Sequence, residues 1–142
     1  MPERRNETVV LEGPALLRRR RLLRVAFWVY AAMVFTATHW PKLELPGPEN
    51  SDKVVHMTVF GMWMFVATTQ RWFGALFSTR NILATMVVSL AYAAVDEGLQ
   101  AFKFVHRDAS LADYSANAAG IVLVTIILFA VRRRWSAPGA AS

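Results

Sequence analysis

The chain has no cysteine, only 10 acidic residues against 16 basic ones, and 18% charged residues in a length of 142. Missing thiols exclude disulfides, thiolate metal sites and a cysteine nucleophile, and their absence fits either redox side. Soluble domains carry about 25% charged residues, and the charges present here flank four apolar runs. No phosphate-cradling glycine loop, G-x-S-x-G elbow or H-E-x-x-H pair occurs, so the common motif-bearing enzyme classes find no support. What is abundant is apolar surface: 55% of residues are hydrophobic and 12% aromatic. That content excludes intrinsic disorder and a fibrous chain, and the length allows one compact domain.

A hydrocarbon core about 30 Å thick needs roughly 20 helical residues. Four segments come close: 22–39, 54–69, 82–102 and 111–131. The first follows Arg18 to Arg21 and stops at Trp40-Pro41; the fourth stops at Arg132 to Arg134. This predicts an all-α integral membrane bundle of four transmembrane helices. It divides the chain into a basic N-terminal tail (1–21), a membrane domain (22–134) and a disordered C-terminal tail (135–142). The first 13 residues read as disordered too, and the proline-rich stretch from Pro41 to Ser51 as an irregular loop. A competing reading takes the first span as a cleaved signal peptide, but the run is long and Thr36-Ala37-Thr38 is a poor cleavage site. The run Arg18 to Arg24 also has the look of a twin-arginine signal, which a chain with three further spans fits poorly.

Charge placement sets the orientation. Seven basic residues lie at or before Arg24, two (Arg71 and Arg80) between the second and third spans, and three after the fourth. Four lie on the opposite side: Lys42, Lys53, Lys103 and Arg107. Lysine and arginine resist translocation, so both termini are expected in the cytoplasm. The formal charge of +6 is then explained by topology, and nucleic acid is not expected as a partner.

The remaining polar residues gather at one depth, the outer end. Asp52, Lys53 and His56 open the second span; Asp96, Glu97 and Gln100 close the third; Arg107, Ser110, Asp113 and Asn117 introduce the fourth. Ionisable residues within a span are costly and normally face protein or a wet cavity. At 100° per residue, Ser89, Tyr92, Asp96, Gln100 and Lys103 share one stripe of the third helix, and Ser110, Asp113, Asn117 and Gly120 one of the fourth. Facing stripes would form a polar pocket open to the outside, with Asp52, Lys53, His56, Asp96, Glu97, Gln100, Arg107, Ser110, Asp113 and Asn117 as the binding set. Within it His56, Glu97 and Asp113 are the candidates for acid–base chemistry. The alternative for the acidic group is an ion-pair network with Arg107 and Lys53. A metal site from His56, Asp96, Glu97 and Asp113 lacks diagnostic spacing, so no metal or cofactor is expected. His39 and His106 read as interfacial. The methionines and aromatics between Met57 and Phe65 read as core or lipid-facing positions.

The pattern D-K-x-x-H (Asp52, Lys53, His56), then D-E-x-x-Q-x-F (Asp96, Glu97, Gln100, Phe102), then R-x-x-S-x-x-D-x-x-x-N-x-x-G (Arg107, Ser110, Asp113, Asn117, Gly120) resembles the VanZ-like family of small bacterial membrane proteins. The resemblance runs from Asp52 to beyond Gly120. It implies a polytopic protein of the bacterial cytoplasmic (inner) membrane and cell envelope, related to glycopeptide resistance of the teicoplanin type. Membrane lipids, and a lipid-linked or cell-wall-related group in the pocket, are the partners it suggests. The chain departs from the family at Val124, where a small residue is expected, which questions close packing deep in the fourth helix. Two other function classes stay open on the residues alone. One is a membrane-embedded hydrolase or transferase acting on a lipid headgroup, in which Ser110 is the only hydroxyl within a motif. The other is a structural, partner-binding subunit.

Overall fold

Helix-start signals and apolar runs coincide along the chain. The computed structural model describes residues 13–39, 51–100 and 110–136. They form four helices: α1 (Pro14–His39), α2 (Ser51–Thr69), α3 (Thr79–Gln100) and α4 (Leu111–Ser136). Pro14 opens α1, where its fixed φ suits the first turn and its missing N–H costs nothing. Ser78 caps α3: its hydroxyl accepts the Asn81 N–H at 3.2 Å, and its carbonyl accepts the Ile82 N–H at 3.0 Å. Ser110 caps α4 in the same way, accepting the Asp113 N–H at 3.3 Å on its hydroxyl. Both outermost helices exceed the expected spans. Pro14 to Arg21 and Trp135 are helical, because nothing in the arginine runs breaks a helix and their side chains can reach water from its surface. The expected boundaries of the two tails shift accordingly; residues 1–12 and 137–142 lie outside the described set, as does the stretch 40–50.

α1, α3 and α4 up to Trp135 are each long and apolar enough to cross a membrane. α2 falls short on composition, with Asp52, Lys53 and His56 in its first turns, yet it packs against all three other helices. Its closest partner is α4. A Cβ at Gly61 would sit 3.2 Å from the Gly120 carbonyl and 3.3 Å from a Val124 methyl, while one at Gly120 would run into the Met57 carbonyl. Val124 therefore lies against Gly61, and α2 and α4 stay close at this level.

The distribution of side chains is inverted relative to a soluble bundle. Asn81, Thr85, Ser89, Asp96, Gln100 and Asn117 are buried, whereas Trp28, Val87 and Ile126 are at least 60% exposed. Such an exterior suits acyl chains. The apolar core consists of Phe60, Met64, Ile82, Ala93, Ile121 and Leu128 between α2, α3 and α4, with Val34 joining it from α1. Phe27, Trp63 and Ala67 form a smaller cluster under α1, in which Trp63 stacks on Tyr92 at 4.2 Å. α1 buries few residues and is tied on by the Tyr30 hydroxyl, which donates to the Val59 carbonyl at 2.8 Å.

Side-chain bonds fix which helix ends meet. Thr38 reaches Asp96 and His56 reaches Asn117 at one end. Gln70 reaches the Leu23 carbonyl, and Arg132 reaches Thr79, at the other. The α2–α3 turn at this second end is held by Asn81, whose amide donates to the Thr68 and Leu76 carbonyls and accepts the Phe73 N–H. Arg71 follows α2 in the left-handed region, φ 60°. Glycine is the usual residue there, and a side chain costs about 1 kcal/mol or more.

Candidate functional site

α1 and α3 finish where α2 and α4 begin, and the polar residues of four helices meet there. Asp96, 1% exposed, accepts the Thr38 hydroxyl at 3.0 Å on Oδ1 and the Gln100 amide at 3.3 Å on Oδ2. His39 Nδ1 lies 3.7 Å from the same Oδ1. Because His39 Nδ1 also sits 3.0 Å from the Phe35 carbonyl, which can only accept, that nitrogen carries the proton. The His39 ring stacks on Phe35 with centroids 4.1 Å apart.

A second group joins α2, α3 and α4. His56 Nδ1 is 3.0 Å from Asn117 Oδ1. An amide oxygen only accepts, so Nδ1 is protonated and Nε2 is the basic nitrogen of neutral His56. Glu97 accepts the Ser110 backbone N–H on Oε1. His56 lies within electrostatic range of both Asp96 and Glu97, and Asp113 within range of Glu97. Asp113 also occupies the third residue of α4, where a carboxylate interacts favourably with the helix N-terminus.

Three of the five buried side-chain atoms left without partners among the described residues lie here, the other two being Trp63 Nε1 and Thr85 Oγ1. Glu97 Oε2, Asn117 Nδ2 and His39 Nε2 are buried and unbonded among the described residues. An orphaned buried group typically costs about 1–3 kcal/mol, so three at one end are an expensive concentration. Beside them a shallow cleft of about 300 Å³ opens between α3 and α4, lined by Ala94, Glu97, Gly98, Ser110, Leu111 and Tyr114.

The arrangement agrees with part of the sequence reading. His56, Asp96, Glu97, Gln100, Ser110, Asp113 and Asn117 do come together at one end. Asp52 and Lys53 do not join them: they are exposed and pair with each other at 3.2 Å. The Lys53 backbone N–H and ammonium hold the Asp52 carboxyl below the usual carboxylate range. Lys53 therefore has no part in a network with the buried acids. Arg107 lies outside the described residues. Instead of one wide polar pocket there are sealed interhelical bonds beside a mostly apolar cleft, and Glu97 alone of the orphaned groups lines that cleft. Among the described residues no three metal-ligating side chains assemble into a site.

Sequence reasoning missed α1. Thr38 and His39 bind the central acid, yet α1 carries no polar stripe that would have flagged them. Compared with protein-family models, curated proteins and solved structures, the chain matches none of them.

Proposed function

We propose that the chain is a VanZ-like protein that crosses the bacterial inner membrane four times with both termini inside, and that its outer end binds the polar part of a lipid-linked or cell-wall-related molecule. In this reading it contributes to resistance to glycopeptides of the teicoplanin type. The observation that carries it is the unsatisfied pair on facing helices, Glu97 Oε2 and Asn117 Nδ2. One accepts and the other donates, and His56 bonds Asn117 and lies within electrostatic range of Glu97. A ligand hydroxyl can donate, so a hydroxyl-bearing headgroup entering the cleft would satisfy Glu97 Oε2, the orphaned group that lines it. The three motifs that resemble the family, and the charge bias that puts arginine at the opposite end, support the same reading.

A hydrolase or transferase is less well supported. His56 has the tautomer of a base, but Ser110 Oγ is engaged in capping α4 and serves poorly as a nucleophile.

Glu97→Gln tests the binding role with little structural change, since the amide oxygen can still accept the Ser110 N–H while Oε2 is replaced by an NH2 group that can only donate. With membrane abundance equal to wild type, the teicoplanin concentration that stops growth should fall to that of cells lacking the chain. Retained resistance in both Glu97→Gln and Asn117→Ala would overturn the proposal.

A further inference from the structure

The end of the bundle opposite the carboxylates holds the larger cavity of the two, and nothing in the function above uses it. A cleft of about 830 Å³ lies between the start of α1 and the α2–α3 turn. Arg19, Arg20 and Arg24 enter it from α1 and Arg71 from the turn, with Trp72 and Leu76 among its apolar walls. No carboxylate is among the described residues that line it. Gln70 bonds α1 to this turn through the Leu23 carbonyl at 3.2 Å, and Phe27 packs edge-on against Trp72 at 4.9 Å, so the two walls are braced against each other.

Arg71 adds a second, independent observation. It keeps its side chain at a left-handed backbone position that glycine would occupy without strain. The strain is retained at a residue that lines the cleft. Trp72 is 48% and Leu16 53% exposed at the rim, a surface suited to glycerol and the first acyl carbons.

We propose that this cleft is a binding site for the phosphate headgroup of an anionic phospholipid, with Arg71 and Arg24 as its principal phosphate ligands. Guanidinium forks match phosphate oxygens in bidentate geometry, and the apolar wall beside them fits a lipid rather than a free anion. The site is at the far end from the outer cluster and stands whether or not the ligand proposed there is correct. The two guanidiniums of Arg24 and Arg71 already exceed the single charge of one phosphodiester, so a headgroup with two phosphates binds more tightly than one with a single phosphate.

The test uses the purified full chain in phosphatidylcholine nanodiscs, titrated with phosphatidylglycerol or diphosphatidylglycerol and read by native mass spectrometry and thermal shift. Arg71→Gly removes the guanidinium and relieves the backbone, so the fold is retained. The double variant Arg24→Gln/Arg71→Gly should weaken binding of either lipid roughly thirtyfold, about fivefold or somewhat more for each cation. Arg133→Gln/Arg134→Gln removes the same charge from exposed positions on α4 and should leave affinity unchanged. Equal loss in both double variants would overturn the site in favour of diffuse surface charge. So would full competition by inorganic phosphate at matched concentration, which would make it a free-anion site, or diphosphatidylglycerol binding no tighter than phosphatidylcholine.

Discussion

Gly120→Leu should prevent the bundle from forming, and Gly120→Ala should lower its unfolding midpoint more than any single alanine elsewhere on α4. A Cβ at this position runs into the Met57 carbonyl and lies 3.0 Å from the Gly61 nitrogen. Both obstacles are backbone, so no side chain can rotate away and α2 itself must move. Overpacking in a core typically costs about 1–3 kcal/mol, and a backbone obstacle puts even alanine at or above the top of that range. Displacing α2 also stretches the 3.0 Å bond between His56 and Asn117, which lies one turn above the contact. Gly98→Ala is the matched control. Among the described residues nothing comes within 4 Å of a Cβ at Gly98, so that change should raise stability by about 0.5–1 kcal/mol through helix propensity. Reversible unfolding in mixed micelles, followed by circular dichroism, measures both. An unchanged midpoint for Gly120→Ala would refute the close α2–α4 approach.

Asp96→Ala should free the C-terminal turn of α1. This carboxylate is the polar tie between α1 and α3, and its loss strands the Thr38 hydroxyl and the Gln100 amide in a dry setting. The cost is about 2–4 kcal/mol, combining unsatisfied groups with the lost charge-assisted bonds. It falls on a helix with little else to hold it, since Phe27, Val34 and Thr38 are its only buried residues. Asp96→Asn keeps an acceptor for Thr38 and nearly the same volume, and should cost about 1 kcal/mol or less. Hydrogen exchange reads the difference locally. Amides from Phe35 to His39 should exchange at least tenfold faster in Asp96→Ala than in Asp96→Asn, while those around Ile121 stay protected. Equal rates in the two variants would mean that α1 is held by packing alone.

Much of this architecture was legible before any coordinates. Apolar run length and flanking arginines gave four helices in the right places. The period of α3 gave the buried stripe, which extends further than expected through Thr85 and Asn81. What periodicity does not encode is the partner of each stripe. Thr38 and His39 close an otherwise apolar helix, and only the pairing of α1 with α3 makes them ligands of Asp96. Asp52 and His56, four residues apart, do share a face of α2, but Asp52 and Lys53 lie in its first turn, at the open end of the helix, where they pair with each other instead of reaching the buried acids. Ser110 and Asp113 show the opposite effect: residues that read as chemistry also have a structural task, capping and charging the start of α4. Gly61 escaped notice because its role depends on Gly120 and Val124, 59 and 63 residues further on.

Convergence of these polar groups on the external side of the membrane is the central claim, and the absence of native cysteine permits a direct test. Single cysteines are placed at Asp52 and Ser110 near the carboxylate cluster, and at Arg71 and Arg133 at the other end. Intact cells are then treated with a membrane-impermeant maleimide. Labelling at 52 and 110, with 71 and 133 reacting only after permeabilisation, is the expected result. Labelling of 71 and 133 in intact cells, or of one member of each pair, would contradict it.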